Sequence, residues 1–223
     1  MFARDVLIII LAAVLISFLI KTFLVRSFYI PSASMENTLL INDRILVNEL
    51  EPRFFPVERG DVIVFSDPGG WLPALQPVEK APIAVAIESI LSFVGLTAPD
   101  SNDHLIKRVI GLPGDHVVCC NDFGQISVND APLDEPYIEL PSGVTKATKE
   151  DFDIVVPSGS LWVMGDNRYN SADSAYHHIV NPGSEYVPVN YVVGRALRVS
   201  WPAARWIWLD NYPTVFQAAI VGD

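Results

Sequence analysis

Apolar and polar residues alternate with two different periods along this chain. Residues 6–25 form one hydrophobic run, broken only by Ser17, Lys21 and Thr22. As a helix that run is roughly 30 Å long, the thickness of a bilayer's hydrocarbon core, and Lys21 falls near its end, where a lysine stem reaches the interface. Beyond residue 30 the pattern shortens. Residues 44–48, 61–65, 105–110, 117–120, 160–164 and 191–201 are rich in β-branched and aromatic side chains, bounded by turn formers, and predict strands. Gly111-Leu112-Pro113-Gly114-Asp115 places Pro then Gly at the centre of a type II turn. Residues 67–103 interrupt the strands with scattered prolines, an amphipathic piece at 83–94 and an acidic stretch at 99–103, an excursion with a short helix. Residues 121–157 are polar and turn-rich, a small β insertion, and residues 165–174 are dense in turn formers. The prediction is a mainly β, antiparallel-sheet domain over residues 27–223, preceded by one N-terminal transmembrane helix within 1–26.

Composition narrows the function. The formal charge of −11 argues against nucleic acid as a partner and against a basic membrane-binding face. A cleaved leader also matches the apolar run, since Ser32-Ala33-Ser34 imitates a small-x-small cleavage site. Against it, Asp5 offsets Arg4, and Lys21 and Arg26 interrupt the approach to that site. The flanking charges do not fix an orientation. Cys119 and Cys120 are adjacent, so on a strand they face opposite ways. Two reduced, partly buried thiols are expected, with a vicinal disulfide as the alternative. His177 and His178 lack metal-ligand spacing, so neither metal nor cofactor is expected.

Candidate chemistry sits in two places. Ser34 follows Pro31 among small residues, which leaves room for a carbonyl substrate and restrains the chain just upstream; a plain linker has the same composition. Lys107 shares a strand face with Leu105 and Val109 while Arg108 takes the other. Apolar neighbours lower a lysine pKa and make a neutral base available; an edge lysine that discourages strand pairing is the alternative. His104 follows Asp103 and invites a Ser-His-Asp arrangement, although adjacent residues rarely face each other as a triad requires. The aromatic segment 201–209 reads equally as an interfacial foot or as strand and core.

Four ordered segments carry a resemblance. They are Phe28-Tyr29-Ile30-Pro31-Ser32-Ala33-Ser34-Met35, Arg59-Gly60-Asp61-Val62-Ile63-Val64-Phe65, Lys107-Arg108-Val109-Ile110-Gly111-Leu112-Pro113-Gly114-Asp115, and residues 165–174 from Gly165-Asp166-Asn167-Arg168 to Asp173-Ser174. Together, behind an apolar anchor, they resemble the bacterial type I signal peptidases. The resemblance implies a membrane-bound serine endopeptidase, its catalytic domain outside the cytoplasm, that removes signal peptides from secretory preproteins after small residues at −3 and −1. It implies Ser34 as nucleophile and Lys107 as general base, with Ser32 joining Ser34 in the oxyanion hole. Ser171 matches a serine bonded to the lysine, and Asp173 a carboxylate behind it. Ile30, Met35 and Ile106 match residues of the substrate pockets, and the bilayer is a partner. Three positions depart from the family: Asn37 stands for a frequent proline, Tyr169 for a frequent aspartate, and Ala175 for an arginine that pairs with the Asp173 position. A self-cleaving Ser/Lys protease and a non-catalytic anchored β domain are the competing readings.

Overall fold

A computed structural model describes residues 25–72 and 104–220, with isolated positions among the first twelve. The apolar run 6–25 therefore lies outside the described residues, apart from those positions and Val25. Among the described residues no helix is long and apolar enough to cross a membrane. The 83–94 helix of the expected excursion also lies outside them.

The predicted strands form, and all their pairings are antiparallel. The main sheet holds β1 (Val25–Tyr29), β2 (Arg44–Asn48), β3 (Val62–Ser66), β4 (His104–Gly111), β9 (Ser160–Met164), β10 (Val187–Pro188) and β11 (Val192–Trp201). Its order is β1-β2-β11-β3-β4-β9-β10. The last long strand thus closes the sheet from within, between β2 and β3. A second sheet holds β5 (His116–Cys119), β6 (Ile126–Val128), β7 (Ala131–Pro132) and β8 (Phe152–Val155), in the order β7-β6-β5-β8. This sheet covers the segment 121–157 expected as a small β insertion and also takes in β5, which precedes it. Strand β1 was not predicted. It begins at Val25, so the last two residues assigned to the anchor already pair with β2 at the sheet edge.

The alternation of buried residues explains the layers. Ile106 packs with Phe28, Ile30, Met35, Ile45 and Val64 on one side of the main sheet. Leu105 and Val109 pack with Ile63, Phe65, Trp71 and Val163 on the other, as period-two geometry requires. Ile110, Trp162 and Met164 join the small sheet to the main one through Val117, Ile126 and Phe152.

Two expectations need correction. Cys119 and Cys120 are joined as a vicinal disulfide rather than left as two thiols. In the 201–209 segment, Trp201, Trp206 and Trp208 are all exposed, and only Leu209 is buried. The core reading fails for those tryptophans: Trp201 ends β11 past the sheet's packed face, and Arg198 lies over the Trp206 and Trp208 rings instead of a hydrophobic layer covering them.

Candidate active site

The chain leaving β1 makes a loop that returns to the same place. The Ile30 amide donates to Asp43 O at 2.9 Å, and the Asn42 amide donates back to Ile30 O at 3.0 Å. Inside that loop the Met35 carbonyl accepts from the Thr38 and Leu39 amides, which forms one tight turn. Met35 and Leu39 are fully buried beneath it, so burial of two large side chains fixes the turn that presents Ser34. Asn37 adopts φ +84°, and its Nδ2 donates to Tyr137 O at 3.0 Å. Proline is locked near −65° and cannot take that conformation. The turn is thus restrained by a side-chain hydrogen bond in place of a proline ring.

The far wall of the site is the loop after β9. Asn167 donates from its backbone to Ser34 O at 3.1 Å and from Nδ2 to Ala33 O at 3.2 Å. Gly165 is what lets the two segments meet, since a Cβ there would lie 2.4 Å from Ser34 O and 2.3 Å from Ser171 Oγ. Asp166 receives a two-pronged ion pair from Arg108, at 2.9 and 2.7 Å, and a hydrogen bond from the Thr38 hydroxyl. Arg108 is fully buried, donates also to Gly60 O and Asp210 O, and stacks 4.1 Å from the Tyr137 ring centre. A buried guanidinium needs such complete pairing. This cluster ties β4, the Ser34 turn and the 165–168 loop into one unit.

Lys107 reaches Ser34 from β4. Its Nζ lies 2.7 Å from Ser34 Oγ and 3.0 Å from Ile106 O, and the residue is 3% exposed. Burial pushes the amine down to about 8, although the Asp173 and Asp166 carboxylates pull the other way. Arg108 already holds Asp166, which limits what that carboxylate does for the lysine. The Ser34 hydroxyl therefore faces an amine and not an imidazole. His104 sits at the start of β4 with its ring edge-on to Phe28, Ser34 Oγ bonds to Lys107, and Asp103 lies outside the described residues.

Asp173 caps the helix α1 (Ser174–Val180), which the turn-rich composition of 165–174 concealed. Its carboxylate accepts from the amides of Gly165, Ala175 and Tyr176. Backbone donors therefore satisfy this carboxylate where the resemblance implied an arginine. Burial still raises the Asp173 pKa, against the pull of those donors and of Lys107. The expected Ser171–Lys107 hydrogen bond is not formed. The Ser171 hydroxyl is buried with no partner in good geometry, and it faces Asp173 only loosely. Ser32 Oγ is 3.4 Å from Ser34 Oγ, the outer edge of hydrogen-bond range. Ile30 and Ile106 line an apolar depression together with Phe28, Ile45, Val64 and His104. About 20 Å³ of it admits a water-sized group, room for a methyl rather than a leucine side chain. Met35 is buried under the nucleophile in the same cluster.

Residues 3–201 match the family model described as signal peptidase, peptidase S26. The chain belongs to that family. Among its relatives, a probable signal peptidase I of Mycobacterium leprae is 40% identical, over 89% of this chain and 76% of the relative. A signal peptidase I of Mycobacterium tuberculosis is 39% identical, over 91% and 74%. A signal peptidase I of the cyanobacterium Leptolyngbya laminosa is 35% identical, over 86% and 77%. A crystal structure of a signal peptidase I from Enterococcus faecalis V583 aligns at 23% identity and a TM-score of 0.40, over 63% of this chain and 96% of that one. Membership in the signal peptidase family makes the chain a peptidase. Sequence reasoning gave no role to Asn167, Gly165 or the Arg108–Asp166 pair. All lie in the segments that carry the resemblance, but only the fold brings them against the Ser34 turn.

Proposed function

We propose that the protein is a membrane-bound serine endopeptidase that removes signal peptides from secretory preproteins through a Ser34–Lys107 dyad. One observation carries this reading: a buried amine with a pKa lowered to about 8 lies 2.7 Å from a serine hydroxyl. That distance is within reach for proton transfer, and that pKa leaves a usable fraction of neutral base near pH 7. Neutral Lys107 takes the Ser34 proton as Oγ bonds to the scissile carbonyl carbon. The carbonyl oxygen becomes an oxyanion, stabilised by the Ser32 hydroxyl and the Ser34 amide, each donor contributing about 3 kcal/mol. The Lys107 ammonium then gives its proton to the departing amine, the C–N bond breaks and an acyl-enzyme remains. Lys107 next takes a proton from water as the water oxygen bonds to the ester carbon; the acyl C–Oγ bond then breaks, the Lys107 ammonium returns its proton to Ser34 Oγ and the carboxylic acid product leaves.

The small apolar depression supports preference for small side chains before the cut, with Ile30 and Ile106 as walls and Met35 packed in the core cluster behind them. Strand β1 is an edge strand beside that depression, so an extended signal peptide has backbone groups to pair with. We read the apolar run that precedes β1 as the anchor and place the domain on the outer side. Tethering both enzyme and substrate to one bilayer raises their effective concentration. The test is preprotein cleavage by the full chain. Ser34→Ala, Lys107→Ala and Lys107→Arg should each remove nearly all turnover, and Ser34→Ala with Lys107→Ala should be little worse than either alone. Normal turnover by Lys107→Arg contradicts the dyad, because guanidinium does not lose its proton near neutral pH.

A further inference from the structure

Between β2 and β3 the chain makes a turn whose tip is apolar and unburied. Phe54 is 74% exposed and Phe55 56%, between an exposed Arg53 and an exposed Pro56. The turn is built rather than loose. The Leu50 amide donates to Asn48 Oδ1 at 3.1 Å, the Phe54 amide to Leu50 O at 2.7 Å, and Asn48 Nδ2 to Glu51 Oε1 at 3.3 Å. The nearby carboxylates turn inward. Glu49 is buried and paired with Arg26 at 2.8 Å, and Glu51 is buried with Arg195 at 3.7 Å. The outward surface is left with one guanidinium and two phenyl rings; the next carboxylate, the exposed Glu58, lies beyond buried Val57.

The place of this tip gives it a meaning that single exposed rings lack. Val25 pairs with Asn48, so the chain leaves the apolar run 6–25 at the same end of the sheet from which the turn projects. A bilayer that holds that run lies next to Phe54 and Phe55. Rings with a neighbouring arginine suit the headgroup layer, where apolar area leaves water while the cation meets phosphate. We propose that Arg53, Phe54 and Phe55 form a second membrane contact, seated in the phospholipid headgroup layer beside the anchor. Two contacts fix the rotation of the domain about the anchor axis, so the Ser34 site meets membrane-held substrates at one height. The inference rests on the reading of residues 6–25 as a span.

The test reconstitutes the full chain in vesicles of phosphatidylcholine and phosphatidylglycerol. Phe54→Cys carries an environment-sensitive fluorophore, and Phe123→Cys, at an 80% exposed position in the turn between β5 and β6, serves as the aqueous reference. The label at 54 should shift to the blue and be quenched several-fold more by headgroup-proximal spin-labelled lipid than the label at 123. Dissolved iodide should quench the label at 123 more strongly. In the same vesicles, Phe54→Ser with Phe55→Ser should lower kcat/KM several-fold for a membrane-embedded preprotein while leaving a short soluble peptide unaffected. A chain that floats with the vesicles while its label at 54 stays iodide-accessible overturns the second contact and leaves the anchor standing. A chain that fails to float, with both labels aqueous, overturns both.

Discussion

Ser32 and Ser34 sit two residues apart and differ sharply in environment. Ser34 is 8% exposed and its hydroxyl meets Lys107, whereas Ser32 is exposed and its hydroxyl lies 3.4 Å from Ser34 Oγ. On the proposed mechanism the Ser32 hydroxyl gains its full hydrogen bond only when the oxyanion forms, which is the condition for lowering a barrier rather than tightening substrate binding. Ser32→Ala should therefore lower kcat about a hundredfold or more with a smaller change in KM, and Ser32→Thr should lose less. Steady-state kinetics on a preprotein check this; an unchanged kcat for Ser32→Ala removes its hydroxyl from the oxyanion hole. Asn37 teaches a different lesson at the same scale. Its departure from proline suggests a looser turn, yet its positive φ and its bond to Tyr137 O restrain the turn by other means.

At the scale of elements, the site is a meeting of three segments: the turn after β1, the strand β4 and the loop after β9. Gly165 sets how closely the first and third approach. A Cβ there would meet Ser34 O at 2.4 Å, a backbone atom that cannot swing aside. Gly165→Ala should push the Ser34 turn away from Asn167, stretch the Ser34–Lys107 contact and cost about a hundredfold in kcat/KM, the order expected for a displacement near 1 Å. A crystal structure of the variant reads the displacement; unchanged kcat/KM contradicts the tight-approach account. Much at this scale was legible in the sequence. Residues 44–48 and 160–164 form strands with the predicted bounds, because hydrophobic runs flanked by turn formers have few other ways to fold. Strand β1 was hidden, because Val25 continues the apolar run and nothing in composition separates the two. Helix α1 was hidden too, because its cap Asp173 lies in a segment that reads as turn throughout. The Lys107 face was legible from alternation, but the Arg108–Asp166 pairing was not, since it joins residues 58 positions apart.

For the whole molecule, burying the Lys107 amine in the main sheet costs stability while it is charged. The Lys107 pKa falls from 10.5 to about 8 on folding. The unfolded chain thus keeps this proton up to 10.5 while the folded one loses it near 8. Stability from this group must then rise with pH between those values, and below 8 the full cost of about 3 kcal/mol applies. Lys107→Met removes that dependence. Its unfolding free energy relative to the parent should fall by about 3 kcal/mol between pH ~7 and pH ~11, as measured by urea unfolding. A difference that stays constant over that range means the amine is not held neutral by the fold. Exposed aromatic groups at two places, the Phe54–Phe55 tip and the Trp201, Trp206 and Trp208 segment, show the other side of this arrangement. Both places leave apolar area on the surface, and on the reading proposed above a membrane covers the Phe54–Phe55 tip.

The most direct test of the dyad is the pH dependence of kcat/KM for preprotein cleavage, compared between the parent, Leu105→Asp and His104→Ala. Free-enzyme titration of the essential base appears in that parameter. Activity of the parent should rise with pH through a single limb near 8, the pKa of Lys107. Leu105→Asp puts a carboxylate on the lysine's strand face, favours the ammonium form and should move the limb to higher pH. His104→Ala should leave it in place. A limb that ignores Leu105→Asp and disappears in His104→Ala would contradict the lysine mechanism and restore histidine as the base.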